Sequence, residues 1–224
     1  GIGLDVPATT INKVCLSGIN TIMLADLLIQ AGEAEIVVAG GMESMTNAPY
    51  LLREARSGMR MGDKKVVDSM MHDSLFCAID ELAMGAATEG YAAKAGLNRD
   101  VQDEASAQSH DRAAAAQKDG KFDNEIIAVE VPQRKGDPIL FEVDEGVRPG
   151  TTAESLGKLR PAFSKDGNIT AGNASQISDG GAAVIGCSAA KAEELGIKPL
   201  GEIVSIGQVA GPDAAGSLGM LLLN

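Results

Sequence analysis

The chain has 224 residues, a hydrophobic fraction of 45% and a formal net charge of -12 at pH 7. A chain of this length can bury a substantial core, as one large domain or two modest ones. The negative charge argues against nucleic acid and against an anionic membrane surface as partners, so any anionic ligand needs a local basic cluster.

The cysteines and the termini restrict the compartment. Three cysteines, Cys15, Cys77 and Cys187, are an odd number without a Cys-x-x-Cys spacing, and two histidines provide no zinc-type cluster. No apolar stretch reaches the roughly 18 residues that a membrane helix needs, and residues 1–5 lack the basic start and apolar core typical of a signal peptide. We therefore expect no metal, no membrane association and a cytoplasmic location, with an organelle matrix as the alternative.

The first predicted helix covers residues 17–31 and is apolar on nearly every side. Such a helix is expected in the middle of a protein. Cys15 lies just before it, where free backbone N–H groups and the positive end of the helix dipole stabilise a thiolate. A buried, unreactive cysteine is the alternative interpretation, and it is the one we expect for Cys77 and Cys187. Residues 35–39 predict a short strand of a parallel sheet covered on both faces.

Two motifs flank this helix and strand. Residues 12–18 are Asn-Lys-Val-Cys-Leu-Ser-Gly, and residues 40–45 are Gly-Gly-Met-Glu-Ser-Met. The residues of these motifs, their order and their separation closely resemble those of the thiolase family. The resemblance implies an α/β fold, part of a layered αβαβα core with an inserted α+β loop domain. It also implies that Cys15 is the catalytic residue that carries the acyl group.

The middle of the chain, residues 46–171, resembles the inserted loop domain that binds coenzyme A. Residues 56–65 are glycine-rich, basic and methionine-bearing, and a long loop of this kind is uncommon unless it binds something. They resemble the thiolase segment that joins dimers into tetramers, so we expect a homo-oligomer; an exposed loop without a partner is the alternative. The other predicted elements here are two helices and two strands, at 75–95, 99–118, 124–132 and 138–143. His110 is predicted to face solvent.

Residues 148–165 carry four basic side chains and one acidic side chain in a chain that is otherwise strongly negative. A charge run is usually a solvated face, but this segment resembles the part of thiolases that lines the coenzyme A site. Residues 173–183, which include Asn-Ala-Ser and an Asp179-Gly180 turn, form a third motif of the family. The substrate- and coenzyme A-binding residues that the resemblance implies are Met84, Arg148, Ser155, Phe163, Ala171, Ala174 and Ser175.

The last predicted elements are two strands and a helix, at 183–186, 200–206 and 188–195. The resemblance fades after Val209. It implies an N-terminal core made of residues 1–45 and 172–198, and the truncated or divergent start of a C-terminal domain at 199–224. Relative to the family, we therefore expect the chain to be incomplete at both ends.

The resemblance implies an acyltransferase of fatty acid and lipid metabolism that forms or cleaves a carbon–carbon bond between acyl-CoA units. Acetyl-CoA acetyltransferase and 3-ketoacyl-CoA thiolase are its two forms, with coenzyme A as substrate or product and no cofactor. The family's Gly-His-Pro base and second catalytic cysteine have no match in this sequence. We expect the chain to be inactive alone; a non-catalytic coenzyme A-binding or assembly module is the alternative function.

Overall fold

The computed structural model describes residues 2–208. These residues form two compact units, one made of residues 2–75 with 177–208 and the other of residues 76–176. The sequence predicts domain boundaries elsewhere, after residues 45, 171 and 198, and that division stays a prediction. Most of the predicted C-terminal domain, from residue 209 onwards, lies outside the described residues.

Five helices and eight strands are interspersed along residues 2–208. The helices are α1 Ser17–Gln30, α2 Met84–Lys94, α3 Arg99–Lys118, α4 Ala153–Gly157 and α5 Ala189–Glu194. The strands are β1 Ile36–Glu43, β2 Tyr50–Leu51, β3 Val67–Asp68, β4 Phe76–Cys77, β5 Leu82–Ala83, β6 Val129–Val131, β7 Ile139–Phe141 and β8 Gly180–Cys187. A π-helical turn, Met70–Ser74, follows β3. None of the helices in residues 2–208 combines the length and the apolar character needed to cross a membrane.

The first unit is built on α1 packed against the antiparallel pair β1–β8. The helix ends where Gly32 adopts a φ of 74°, a left-handed conformation that glycine takes without steric cost. Gly40 is required by close packing within the sheet, because a Cβ there would lie 2.5 Å from the carbonyl oxygen of Ala182. Gly41 lies against the helix, since a Cβ there would be 3.4 Å from the Cα of Gly18. The first glycine of the second motif is therefore a packing requirement, and the second lies in contact with α1.

Two predictions for this unit are wrong. β1 is antiparallel to its partner β8, not part of a parallel pair, because an apolar run shows that a strand has two apolar faces but not the direction of its neighbour. The helix α1 is not buried all round: Ala25 is its one buried residue, and Ile19 is 67% exposed. Within the described residues α1 packs mainly on β1 and β8, which cover one side of it.

The second unit contains the long helix α3, which the sequence predicts correctly. It begins after Asn98, whose side-chain oxygen accepts a hydrogen bond from the Val101 amide at 3.0 Å. It ends before Gly120, whose φ is 66°. The capped ends and the helix-favouring composition make this element readable from local signals alone.

The helix predicted over 75–95 is wrong in its first half. Residues 76–83 form the short antiparallel pair β4–β5, and α2 begins only at Met84. The turn between the strands contains Glu81 at a φ of 54°, which no right-handed helix allows. The same turn is closed by the Asp80 amide, which donates to the Cys77 sulfur at 3.4 Å. Apolar spacing alone could not distinguish this turn from a helix.

The remaining elements are matched to different degrees. β8 and α5 agree with the predictions, whereas β6 and β7 are shorter than predicted and pair with each other. Residues 200–206 contain no strand. A strand needs a hydrogen-bonding neighbour, and no described residue pairs with this stretch.

Candidate functional site

Cys15 lies in a tight turn immediately before α1, as the sequence predicts. The turn is held by polar side chains on both sides of the cysteine: the Asn12 side-chain oxygen accepts from the Val14 amide at 2.8 Å. The Ser17 hydroxyl accepts from the Lys13 amide at 2.8 Å and donates to the Val14 carbonyl at 2.7 Å. Val14 has a φ of 51°, a left-handed conformation that is rare for a β-branched residue. The motif thus fixes the backbone on which the thiol is carried.

The three cysteines differ in exposure. Cys15 is exposed, Cys77 is buried and Cys187 is half-buried. The prediction of a buried Cys187 is therefore wrong: it is the last residue of β8, a strand that is largely exposed. A nucleophile must reach its substrate, and among the three thiols Cys15 meets that condition best.

Asp179 connects the second and third motifs. Its carboxylate accepts hydrogen bonds from the Thr46 amide at 2.9 Å and from the Ser44 hydroxyl at 3.2 Å. These hydrogen bonds, chiefly that of the Thr46 amide, hold the pKa of Asp179 below its usual value. The sequence identifies this residue only as part of a turn. In the structure it fastens the loop after β1 to the start of β8.

The basic segment is anchored to α3 through Arg148. The Arg148 amide donates to Nδ1 of His110 at 3.2 Å, and His110 is half-buried, so the prediction that it faces solvent is wrong. The Arg148 guanidinium is exposed and takes part in none of the ion pairs of residues 2–208. The next basic residue of the segment, Lys158, is instead paired with Glu154 at 2.9 Å. Arg148 therefore combines a fixed backbone with an available charge.

Ser155 and Phe163 have structural contacts of their own. Ser155 completes the capping box of α4: its amide donates to the Thr152 hydroxyl at 3.1 Å, and its hydroxyl accepts from the Thr152 amide at 3.1 Å. The ring of Phe163 lies directly over Gly85, where no Cβ could fit. Because Gly85 follows Met84, this contact brings two of the predicted site residues into the same region.

The residues that follow Phe163 are held by a carboxylate that the sequence reasoning missed. Glu89, in α2, accepts hydrogen bonds from the amides of Asn168 and Ile169, each at 2.9 Å. No motif marks Glu89, and its partners are distant in sequence. The predicted small residues Ala171, Ala174 and Ser175 come next, and all three are exposed.

The predicted site residues fall into two groups. Cys15 belongs to the first unit, and the seven predicted binding residues belong to the second. The structure brings together Met84 and Phe163 through Gly85, and it places Ala171, Ala174 and Ser175 on one loop. The roles of all eight residues stay predictions.

Comparison with known proteins gives a consistent result. Residues 1–190 match the family model described as "Thiolase, N-terminal domain". The chain is 56% identical over 214 residues to the "Probable acetyl-CoA acetyltransferase" of Mycolicibacterium smegmatis, covering 96% of this chain and 55% of that protein. It is 53% identical over 205 residues to the "Acetyl-CoA acetyltransferase" of Cupriavidus necator, covering 92% of this chain and 52% of that protein.

A solved structure shares the fold. The acetyl-CoA acetyltransferase from Syntrophomonas wolfei aligns with a TM-score of 0.78 and 42% identity, over 83% of this chain and 46% of that chain. The predicted α/β fold class is thereby confirmed, whereas the inserted loop domain stays a prediction. This chain spans about half the length of the curated relatives that it matches.

Replacing Asp179 with asparagine is expected to change how stability depends on pH. Because the folded-state pKa is lowered, the carboxylate stabilises the fold fully above its unfolded pKa of about 3.9. That contribution is lost as the pH falls through the folded pKa. Urea unfolding between about pH 2 and pH 6 should therefore show a steeper acid decline for the original chain than for Asp179→Asn.

The matched control is Asp5→Asn, at an exposed position of the same unit. Its pH profile should follow that of the original chain. If Asp179→Asn also gives a parallel profile, the carboxylate does not fasten the loop.

Brief treatment of the folded protein with iodoacetamide should modify Cys15 first, because its thiol is exposed while Cys77 is buried. Peptide mapping by mass spectrometry measures the order, and unfolding in urea should make all three thiols equally reactive. The variant Cys15→Ser should lose the fast adduct. Earlier modification of Cys77 or Cys187 would contradict the assignment.

Proposed function

The chain belongs to the thiolase family, and on this basis we propose that it forms part of an acyl-CoA acyltransferase in which Cys15 is the nucleophile. The observation that carries the proposal is the exposed thiol of Cys15 at the start of α1, in a turn fixed by the first motif. Its exposure lets the carbonyl of a substrate reach the sulfur. A thiolate is the form that attacks a thioester.

In the proposed reaction the Cys15 sulfur attacks the carbonyl carbon of an acyl-CoA. A carbon–sulfur bond to Cys15 forms, the bond to coenzyme A breaks, and coenzyme A leaves as a thiolate that takes up a proton. A second acyl-CoA then loses its α-proton to a base, and the resulting carbanion attacks the acyl group. The new carbon–carbon bond releases Cys15, and the reverse sequence cleaves a 3-ketoacyl-CoA.

The names of the relatives support a narrower proposal. Both curated relatives are named acetyl-CoA acetyltransferase, which makes acetyl-CoA the proposed acyl donor. No metal or redox group enters the proposed steps, because the thioester itself activates the carbonyl. A cytoplasmic location is part of the same proposal, since three free cysteines are kept reduced there.

Coenzyme A is proposed to bind along the second unit, with its phosphates at Arg148. A guanidinium presents a rigid fork that matches phosphate oxygens and stays charged at every working pH. The hydroxyls of Ser155 and Ser175 are proposed to meet the pantetheine arm, for which Ala171 and Ala174 leave room. Phe163 and Met84 supply the apolar contacts. The basic side chains of residues 148–165 supply the local positive charge that an anionic ligand needs on a chain with a net charge of -12.

We further propose that these 224 residues bind coenzyme A but do not turn over by themselves. The sequence contains no Gly-His-Pro motif, the context in which the family places its base. General-base assistance is typically worth about 10²–10⁴-fold in rate. Thiolysis of acetoacetyl-CoA at an ordinary thiolase rate, by protein of verified mass, would disprove this proposal. Coenzyme A binding without acylation of Cys15 would favour the alternative of a binding module.

Residues 56–65 are proposed to mediate self-association. The segment lies in the loop that connects β2 to β3. These two strands pair with each other, with Leu51 opposite Val67. Met59 is 46% exposed and Met61 is fully exposed, and methionine suits adaptable contact surfaces. A homodimer or homotetramer is the assembly that this loop is proposed to stabilise.

Calorimetric titration of coenzyme A tests the binding site. Arg148→Ala should weaken binding by about 1.5–3 kcal/mol, the usual worth of a hydrogen bond to a charged group, or roughly 10- to 150-fold in Kd. Arg134→Ala removes an exposed arginine of the same unit and should leave the Kd unchanged. Equal affinities for both variants at moderate salt would refute the role of Arg148.

Shortening the loop tests the assembly. Replacement of residues 56–65 by two glycines should lower the mass measured by light scattering, because the β2–β3 pairing can still close the shorter loop. The variant Met59→Ser/Met61→Ser, which keeps the loop length, should weaken the assembly in the same direction. An unchanged mass for both variants would contradict the proposal.

A further inference from the structure

The side-chain amide of Asn173 joins both ends of the loop that carries the small exposed residues. Its oxygen accepts a hydrogen bond from the Thr170 amide at 2.7 Å. Its nitrogen donates to the Asn168 carbonyl at 3.0 Å and to the carboxylate of Asp103 at 2.8 Å. One side chain thus closes the turn between residues 168 and 173 and fastens it to α3.

Asp103 is the fixed point of this arrangement. It is 2% exposed and is paired with the guanidinium of Arg99, one turn earlier in α3. Arg99 also donates to the carbonyls of Leu156 and Leu159, at 2.6 and 3.1 Å. A buried carboxylate is tolerated only when its oxygens are paired and hydrogen-bonded, so the position of Asp103 is strictly determined.

The base of the loop is buried on its other side as well. Thr170 is completely buried, and its hydroxyl accepts from the Gly172 amide at 3.1 Å. A Cβ at Gly172 would lie 2.5 Å from the side chain of Leu159, so the loop is packed closely against the segment after α4. Glu89 holds the two amides that precede Thr170, as described above.

The network of hydrogen bonds and the residues that the loop carries differ in exposure. The side chains that form its hydrogen bonds, those of Arg99, Asp103, Glu89, Thr170 and Asn173, are buried or half-buried. In contrast, Ala171, Ala174 and Ser175 are exposed. We infer that Asn173 is a positioning residue of the coenzyme A site, which presents these three residues to the pantetheine arm without touching the ligand itself. The inference rests on the proposed function.

The amide is suited to this role by its chemistry. It is the smallest side chain that can accept from Thr170 and donate to both the Asn168 carbonyl and Asp103 at once. Aspartate has the same shape, but it cannot donate and would place a second carboxylate beside Asp103. A loop that is already ordered before binding loses little conformational freedom when the ligand arrives, which increases affinity.

Titration of coenzyme A into Asn173→Ala tests the inference. The Kd should rise about tenfold or more, an effect comparable to the loss of one strong hydrogen bond, under conditions where circular dichroism shows the variant to be folded. Ala192→Gly is the control for a purely structural effect: it weakens α5, which carries no residue of the proposed site, at a buried position and should lower the urea midpoint without changing the Kd. An unchanged Kd for folded Asn173→Ala would overturn the inference.

A charge exchange keeps the inference testable if Asn173→Ala fails to fold. Asn173→Asp alone should bind poorly, because two carboxylates would face each other. The double variant Asn173→Asp/Asp103→Asn restores a donor and an acceptor at this contact, so it should recover part of the affinity. A double variant that binds no better than the single one would overturn the assigned pairing.

Failure of the inference is distinguishable from failure of the proposed function. If the folded original chain binds no coenzyme A, the proposed site is wrong and the inference falls with it. If the original chain binds and Asn173→Ala binds equally well, the proposed site stands and only the role of Asn173 is overturned.

Discussion

Hydrogen bonds from loop amides to a carboxylate hold the loops beside the candidate site residues in each of the two units. Asp179 holds the loop after β1 in the first unit, and Glu89 holds the loop around residue 168 in the second. In each case a charged acceptor satisfies backbone donors that no helix or sheet could satisfy. Irregular segments next to the candidate site residues are therefore held in place without secondary structure of their own.

The motifs of the family combine chemistry with packing. Cys15 is the one residue of the first motif to which the proposed reaction assigns a covalent step, while Asn12 and Ser17 fix the turn around it. Gly40 and Gly41 take no part in the proposed chemistry. Gly40 lets β1 and β8 approach more closely than a side chain would permit, and Gly41 lies beside Gly18 at the start of α1. The same motifs thus contain both the proposed nucleophile and residues that fix the backbone around it.

The charged side chains of the chain have both structural contacts and exposed positions. The chain is strongly acidic, yet several of its carboxylates serve as internal acceptors, and Arg99 is used to neutralise buried Asp103. Arg148 instead has its backbone amide bound to His110 while its guanidinium takes no part in an ion pair of the described residues. Two arginines of one unit therefore have opposite roles, and the difference lies in burial and not in residue type.

The sequence alone determined the family, the position of Cys15 before α1, and the helices α1, α3 and α5, because motifs, caps and terminal glycines are local signals. It could not determine the antiparallel pairing of β1 with β8, the β4–β5 turn in place of a helix, or the missing strand at 200–206. The first and the last depend on whether a distant segment supplies a hydrogen-bonding partner, whereas the β4–β5 turn depends on a local backbone conformation, Glu81 at a φ of 54°, that apolar spacing does not encode. The contact between Asp103 and Asn173 joins residues 70 positions apart. Only the tertiary structure brings such groups together, because a single hydrogen bond between distant residues produces no periodic pattern in the sequence.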